Sequence, residues 1–221
     1  MTGQATEKLN IDVISDVVCP WCYVGKRRLE RALLQLAIDA PHVRPIVSWH
    51  PFELNPDLPA EGIARSAYLE AKFGGPARAA SIYDNVRAAG RSVDIPFAFE
   101  RIERQANTRD AHRLISWAQS RGDADPLVER LFRACFLEGR FIGDRDVLAA
   151  LAGEAGEDSA AARAFLDSGQ GGDTVDAMER RVRELGVTGV PFFIFGERVA
   201  VSGAQEADAL LDAIREARAV V

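Results

Sequence analysis

The sequence predicts an α/β fold in which strands near both ends of the chain are separated by a long helical middle. Residues 10–15 and 43–52 have the alternating, β-branched composition of strands, and a helical pattern over 21–40 joins them. Near the other end, 191–195 and 198–202 have the same strand character. A final helix is expected after the last of these strands.

The first fifty residues predict a βαβ unit. Strand, turn, helix and strand follow one another, which implies parallel strands joined by a right-handed crossover. Pro20 suits the first turn of the helix, and Pro41 marks its end.

The middle of the chain predicts helices almost throughout, because it is rich in Ala, Arg, Glu and Leu. Seven helices are expected, over Ile63–Phe73, Pro76–Ala89, Thr108–Ser120, Pro126–Glu138, Asp144–Ala155, Ser159–Asp167 and Thr174–Leu185. We therefore expect residues 1–58 and 186–221 to form one α/β domain (βαβ, then ββα). An all-helical insertion, 59–185, would interrupt it.

Composition excludes several classes of function. The net charge of −6 argues against a nucleic-acid partner, since phosphate binding needs a basic face. No apolar run reaches the roughly 18 residues that span a bilayer, and residues 1–10 are polar. Three cysteines are too few, and odd in number, for a secreted disulfide scaffold. We expect a cytoplasmic protein with no membrane partner.

The strongest chemical signal is the segment Cys19-Pro20-Trp21-Cys22. At this spacing on a helical turn the two sulfurs can reach disulfide geometry. The partial positive charge of a helix N-terminus stabilises a thiolate, which is the attacking species in disulfide exchange. Cys19 is expected to be the exposed nucleophile and Cys22 the buried resolving thiol.

Two alternatives compete with redox chemistry for this pair. A zinc site would need two further ligands, but His50, His112 and Cys135 stand singly in the sequence and no second CxxC is present. An inert structural pair is the other alternative. We expect neither a metal nor a bound cofactor.

The Val190-Pro191 bond, at the entrance of a strand, is a candidate cis peptide. By itself it is an ordinary strand start, but together with the upstream CxxC helix it is a candidate part of the same site. Asn107 and His112 are candidates to line a groove above Cys19, although a helix cap and a partly buried histidine explain them equally well.

Other features have simpler explanations. Cys135 lies on an apolar helix face and is expected to be a small buried hydrophobe. The basic run Lys26, Arg27, Arg28 and Arg31 is expected to form a solvated helix face.

The chain resembles the DsbA-like thioredoxin superfamily, and within it the FrnE-like branch. The segments that carry this resemblance are DVVCPWCYVGKRRLE (16–30), WHPFELNP (49–56), NTRDAHRL (107–114), RLFRACFLEGRFIGDRDVLAALA (130–152) and GVTGVPFFIFGERVAVSGAQ (186–205). The resemblance extends to 2-hydroxychromene-2-carboxylate isomerase and kappa-class glutathione transferases. It covers nearly the whole chain.

This resemblance implies a thioredoxin domain with a helical insertion and a thiol–disulfide exchange activity without metal or cofactor. It makes Cys19 the nucleophile and Cys22 the resolving thiol, and it sets a cis-proline site at Val190–Pro191 against the CxxC. Pro20 and Trp21 occupy the dipeptide that tunes redox poise. The partners it implies are protein or small-molecule thiols and disulfides, glutathione among them.

Two other functions are compatible with the sequence. Glutathione-dependent isomerases and transferases of the related groups typically have serine where this chain has Cys19, and they lack a resolving cysteine. A chaperone-like binding protein would use an apolar groove between the domains. A second cysteine pair found in some FrnE-like proteins has no counterpart here.

Overall fold

A computed structural model describes residues 6–219. The elements in chain order are β1 (Glu7–Ser15), α1 (Pro20–Asp39), β2 (Val43–Pro51), β3 (Ile63–Ala64), α2 (Arg65–Phe73), α3 (Pro76–Ser92), a 3₁₀ turn (Phe99–Arg101), β4 (Arg104–Gln105), α4 (Arg109–Gln119), α5 (Asp125–Arg133), a π-helical turn (Ala134–Glu138), α6 (Arg145–Glu154), α7 (Ser159–Asp167), α8 (Gly172–Glu184), β5 (Phe192–Phe195), β6 (Val199–Ser202) and α9 (Ala207–Ala219). None of the helices described is long and apolar enough to cross a membrane.

The main sheet has the strand order β2-β1-β5-β6. β1 and β2 are parallel over their whole length, as the βαβ prediction requires. β5 is antiparallel to β1, and β6 is antiparallel to β5. The first and last parts of the chain therefore meet in one sheet, with β1 at its centre.

Alternation along β1 supplies both faces of this sheet. Ile11 and Val13 enter the main core, where α1 and α9 pack against each other. Ile14 points to the opposite face and packs with Val182 of α8 and with Val187. Helices on both faces bury the centre of the sheet.

The main core runs without interruption from the sheet into the helical middle of the chain. It includes Ile11 of β1, Tyr23 of α1 and Phe132 of α5 in one cluster. The division of the chain at 58/59 and 185/186 stays a prediction. The packing of α8 on the sheet favours an earlier end to the insertion, near Gly172.

Apart from shifts of one to three residues at element ends, the structure differs from the predicted elements in two places. Ile63–Ala64 starts as a short strand paired with Arg104–Gln105, and the helix begins only at Arg65. The helix predicted over Pro126–Glu138 divides into α5 and the π-helical turn, which ends at Gly139 with φ 71°. Both differences depend on tertiary contacts, which the helical periodicity of a segment does not predict.

Candidate active site

The segment Asp16–Cys22, called here the redox loop, leads from the carboxyl end of β1 into α1. The backbone N–H of Cys19 donates to the carbonyl of Asp16 at 3.0 Å, which forms a tight turn. Cys19 then caps α1 in an extended conformation, and its carbonyl accepts from the N–H of Cys22 at 3.0 Å. Pro20 stands in the first turn, where a missing N–H costs nothing.

Both thiols of the redox loop are free and buried. Cys19 is 6% exposed and Cys22 is 2% exposed. The expectation of an exposed Cys19 was therefore wrong, because the thiol packs into the main core and faces the loop before β5. Trp21, at 37%, is the exposed member of the motif.

The loop before β5 faces the nucleophile candidate. The Val190–Pro191 peptide bond is cis, as predicted. The carbonyl oxygen of Val190 lies 3.7 Å from Cys19 Sγ and accepts the weak hydrogen bond of that thiol. Two segments that are 171 residues apart in the chain thus meet at one sulfur.

Gly25 makes this close approach possible. A Cβ built on Gly25 would lie 3.0 Å from Cγ of Pro191 and 3.1 Å from Cζ of Phe193. The second turn of α1 therefore packs directly on the cis-proline loop, and a side chain at this position would separate them.

Cys22 lies in surroundings that oppose its ionisation. Burial raises the pKa of Cys22 well above its usual range, and the neighbouring Cys19 raises it further. The backbone N–H of Asp16 and the hydroxyl of Ser15 act in the opposite direction, but more weakly. Cys22 is therefore protonated at neutral pH, and its proton must leave before it can attack a disulfide.

Asp16, which was not among the predicted site residues, is a fully buried carboxylate within the redox loop. Its Oδ2 accepts from the N–H of Leu54 at 2.8 Å, and its Oδ1 accepts from Val18 at 3.4 Å. His112 of α4 places Nε2 3.3 Å from the same Oδ1. An acidic residue within the apolar run that precedes the CxxC was the sequence signal for this carboxylate.

His112 and Asn107, the two predicted groove residues, have different surroundings. His112 is 4% exposed and lies behind the redox loop, against Asp16. The Asn107 amide donates to the carbonyl of Leu58 at 2.8 Å, and its oxygen accepts from the N–H of Arg109 at 2.9 Å. These bonds brace the chain before β3 and the start of α4. A substrate role for either residue remains a prediction.

The basic run of α1 is a solvated face only in part: Arg31 is exposed, as expected, but two of its members are buried. Lys26 is 2% exposed, and Arg28 is 8% exposed. Lys26 Nζ lies 2.9 Å from Asp125 and 3.4 Å from Glu129, both on α5, and it also pairs with Glu30. This ion cluster joins the CxxC helix to the helical middle of the chain. Its acidic partners on α5 are distant in sequence, so the residues of α1 alone do not predict the burial of Lys26.

Cys135 is a buried thiol in the π-helical turn, which agrees with the expectation of a small buried hydrophobe. Burial raises its pKa to about 12, so it carries no thiolate near neutral pH. Within the described residues 6–219, no three side chains of His, Cys, Asp or Glu are grouped as a metal ion would require.

The sequence matches a known protein family over nearly its whole length. The model of the DSBA-like thioredoxin domain matches residues 10–215, which is nearly the whole chain. The chain belongs to this family. The match covers the redox loop, the helical middle and the cis-proline loop, and it confirms the thioredoxin-like fold and the DsbA-like resemblance.

Solved structures support the same assignment. The probable DsbA oxidoreductase SCO1869 from Streptomyces coelicolor is 33% identical, with a TM-score of 0.85 over 96% of this chain and 91% of that one. A 2-hydroxychromene-2-carboxylate isomerase has a TM-score of 0.65 at 19% identity, over 94% and 95% of the two chains. The cytosolic disulfide reductase DsbM from Pseudomonas aeruginosa, solved with GSH, has a TM-score of 0.60 at 19% identity, over 95% and 96%. At 19% identity, the last two are similar in fold alone.

Proposed function

We propose that this protein is a thiol–disulfide oxidoreductase in which Cys19 attacks and Cys22 resolves. The observation that carries the proposal is the meeting of Cys19 with the Val190 carbonyl at 3.7 Å, beside a free Cys22 one helical turn away. The N-terminus of α1 favours negative charge at Cys19, whereas Cys22 lies inside the helix with a raised pKa. The two cysteines thus differ as a two-step exchange requires: Cys19 is placed to attack first, and Cys22 stays protonated until it resolves.

The exchange proceeds in two balanced steps. The Cys19 thiolate attacks one sulfur of a substrate disulfide, so that a mixed disulfide forms and the first substrate thiolate leaves. Cys22 then loses its proton and attacks Cys19 Sγ. The Cys19–Cys22 disulfide forms, and the second substrate thiolate leaves. The substrate gains two electrons and the protein loses two; oxidation of a dithiol substrate is the reverse sequence.

Val190 is suited to hold the substrate during these steps. In the reduced protein its carbonyl accepts the Cys19 thiol. When Cys19 carries a mixed disulfide, it has no S–H to donate, and this carbonyl becomes available to a backbone N–H of an extended substrate. The exposed Trp21, two residues after Cys19 in the chain, supplies apolar surface for the substrate.

The partners proposed are protein or small-molecule disulfides, with glutathione as a candidate small thiol. The likeness in fold to a DsbM solved with GSH supports that candidate, and the cytosolic description of DsbM supports a cytoplasmic location. The odd, low cysteine count agrees with a reducing compartment.

Reduction of insulin by dithiothreitol tests the proposal. The wild-type protein should accelerate the reaction, and Cys19→Ser should not. Cys135→Ala is the matched control, because it removes a buried thiol that the mechanism does not use, and it should retain the activity. If Cys19→Ser were as active as wild type, the proposal would be wrong. Glutathione-dependent isomerisation or holdase activity, tested on the same variants, would then be the functions to measure.

A further inference from the structure

An open groove lies between α1 and the outer strand of the main sheet. β2 is the last strand on its side, because the strand order is β2-β1-β5-β6. The groove has a volume of about 540 Å³, and its apolar lining includes Leu29 and Leu33 of α1 and Pro45, Val47 and Trp49 of β2. Neither cysteine of the redox pair lines it, so the two exchange steps do not use this surface.

The outer edge of β2 offers backbone groups to a further strand. The carbonyl of His42 and the N–H of Phe52, one at each end of β2, both bond to β1. Because bonding direction alternates along a strand, the even-numbered residues of β2 face β1 and the odd-numbered residues face outward. Trp49 agrees with this rule, since its N–H and its carbonyl both bond to the side chain of Gln119.

Gln119 completes this edge at Trp49, but not at Val47. Within residues 6–219, neither the N–H nor the carbonyl of Val47 has a hydrogen-bond partner. Pro45 presents a carbonyl to the same edge and has no N–H. The free edge is therefore short, with one donor and two acceptors, and it can take only a few residues of an added strand.

The same two residues argue against a second copy of this chain as the occupant. If two copies paired antiparallel about Val47, Pro45 of one would stand opposite Trp49 of the other. Gln119 already covers the edge at Trp49, and Pro45 has no N–H to contribute. A proline and a covered position of this kind are devices that prevent edge-to-edge pairing of sheets.

One end of the groove is acidic. Glu30, Asp123 and Asp125 line it together with Lys26, so these side chains carry a net charge of −2. Lys26 is already paired with Glu30 and Asp125. Asp123 is exposed and, in the described part of the chain, has no ion pair; its Oδ1 accepts from the N–H of Asp125 at 2.9 Å. A cation that enters this end meets a carboxylate without displacing another cation.

The surface beyond the groove is apolar. Leu34 and Ile38 follow Glu30 at steps of four residues, so they continue the helix face that lines the groove. Leu34 is 69% exposed and Ile38 is 75% exposed. Ile46, at the groove itself, is 42% exposed. Grouped exposed apolar side chains of this kind mark a surface that binds another chain.

We propose that this groove binds an extended segment of a protein client. The segment adds a short strand to β2 at Val47, lays apolar side chains against α1, and places a lysine or arginine beside Asp123. The inference deepens the proposed function and rests on it, because it favours protein clients over small thiols and gives them a second contact away from Cys19.

α1 sets the distance between this contact and the redox pair. Lys26 follows Cys19 by seven residues, and Leu33 follows it by fourteen. At 1.5 Å per residue, they lie about 10 Å and about 21 Å further along the helix axis. The acidic end is thus the nearer one. Since an extended chain covers about 3.3 Å per residue, a client cysteine about six residues beyond the docked cation can reach Cys19 at a raised effective concentration.

Binding is measured on the full reduced protein by fluorescence anisotropy. The probe is a labelled seven-residue peptide of alternating valine and threonine that ends in two lysines. Its matched control has N-methyl groups on the three central amides, which keeps the charges and side chains but removes the donors for strand pairing. The control should bind at least about tenfold more weakly. Equal binding of the two peptides would overturn the inference.

Two variants locate the site. Val47→Pro removes the free outward N–H, and the probe should then bind at least about fivefold more weakly. Asp123→Asn keeps an oxygen for the N–H of Asp125, and it should weaken binding about threefold at low salt and less at high salt. Asp57→Asn, at an exposed carboxylate outside the groove, is the control and should bind as wild type does. Wild-type affinity in both groove variants would place the peptide elsewhere and overturn the proposal.

Sedimentation equilibrium distinguishes the client segment from a second copy. The wild-type protein should not self-associate through this face at micromolar concentration. A wild-type dimer that Val47→Pro dissociates would show that a second copy fills the groove, and it would overturn the proposal.

Disulfide exchange tests the client role separately. The probe and its N-methylated control are each extended by about six residues to a cysteine that carries thionitrobenzoate as a mixed disulfide. The reduced wild-type protein should release the chromophore from the probe with a kcat/KM about tenfold higher than from the control. Equal values would overturn the client role. Release from neither peptide would overturn the proposed function, whereas the anisotropy measurement would still decide whether the groove binds a strand.

Discussion

Cys19 and Cys22 lie three residues apart but in different chemical surroundings. Cys19 stands at the N-cap of α1, opposite the Val190 carbonyl. Cys22 is one turn inside the helix, where burial and Cys19 raise its pKa. Since the thiolate is the reactive form, these surroundings predict different reactivities for the two sulfurs.

The order of thiol reactivity follows from this difference. In the reduced protein at neutral pH, iodoacetamide should label Cys19 at least about tenfold faster than Cys22, because the raised pKa of Cys22 leaves it protonated. Cys135, with a pKa of about 12, should stay unlabelled until the protein unfolds. Mass spectrometry of timed samples measures all three rates. Equal labelling of Cys19 and Cys22 would contradict the assigned roles.

Removal of Cys22, the proposed resolving thiol, should trap the first intermediate of the proposed exchange. In Cys22→Ser, a mixed disulfide between Cys19 and a substrate thiol should accumulate, because no second attack follows. Non-reducing gels show the adduct, and the double variant with Cys19→Ser is its control. An adduct that still formed in the double variant would mean that another sulfur attacks.

The approach of α1 to the cis-proline loop depends on Gly25. A residue without a Cβ lets Pro191 and Phe193 contact the helix backbone directly. This contact places Val190 against Cys19, although glycine inside a helix costs up to about 1 kcal/mol relative to alanine.

Gly25→Ala should therefore lower the rate of disulfide exchange clearly, but the free energy of unfolding only slightly. The added Cβ would lie 3.0 Å from Pro191, so the loop must move away from Cys19 by a few tenths of an ångström. Overpacking costs about 1–3 kcal/mol and the gain in helix propensity offsets roughly 1 of it, so we expect a small net loss of stability. Insulin reduction and thermal unfolding measure the two effects.

Gly153→Ala is the control, because Gly153 also lies inside a helix and has a close neighbour, Ser159, at 3.1 Å. It should leave the activity unchanged. Full activity in Gly25→Ala would show that the fit between α1 and the loop is not needed for exchange.

Most elements could be predicted from the sequence because their signals are local. The strand alternation before Cys19 and the proline at the start of α1 act within a few residues. The parts that could not be predicted depend on distant partners: the pairing of Ile63–Ala64 with Arg104–Gln105, and the ion cluster that buries Lys26.

The helical middle of the chain is attached to the sheet by polar contacts as well as by the core. Gln119 of α4 accepts from the N–H of Trp49 at 2.7 Å and donates to its carbonyl at 3.4 Å, so it completes the free edge of β2. Lys26 joins α1 to α5 through Asp125 and Glu129. Both attachments lie near the redox loop.

The Lys26 cluster makes a testable contribution to stability. Burial lowers the pKa of Lys26, but Asp125 and Glu30 together hold it above its usual value of 10.5. A cation whose pKa is higher in the folded protein than in the unfolded chain stabilises the fold below the unfolded pKa. That contribution is lost as the pH rises through the folded pKa.

Lys26→Met should therefore destabilise the protein at neutral pH, and the loss should become smaller as the pH rises above 10.5 and through the folded pKa of Lys26. The three carboxylates keep between 22% and 37% of their exposure, so solvent screens part of the lost attraction. We expect a loss of about 2 kcal/mol, below the 3–5 typical of a fully buried pair. Urea unfolding of both proteins at pH 7 and at pH 11 measures it.

Lys8→Met, an equal change of charge at an exposed position on β1, should cost little at either pH. A difference between Lys26→Met and wild type that persisted undiminished at the higher pH would point to lost packing of the Lys26 stem rather than to its charge.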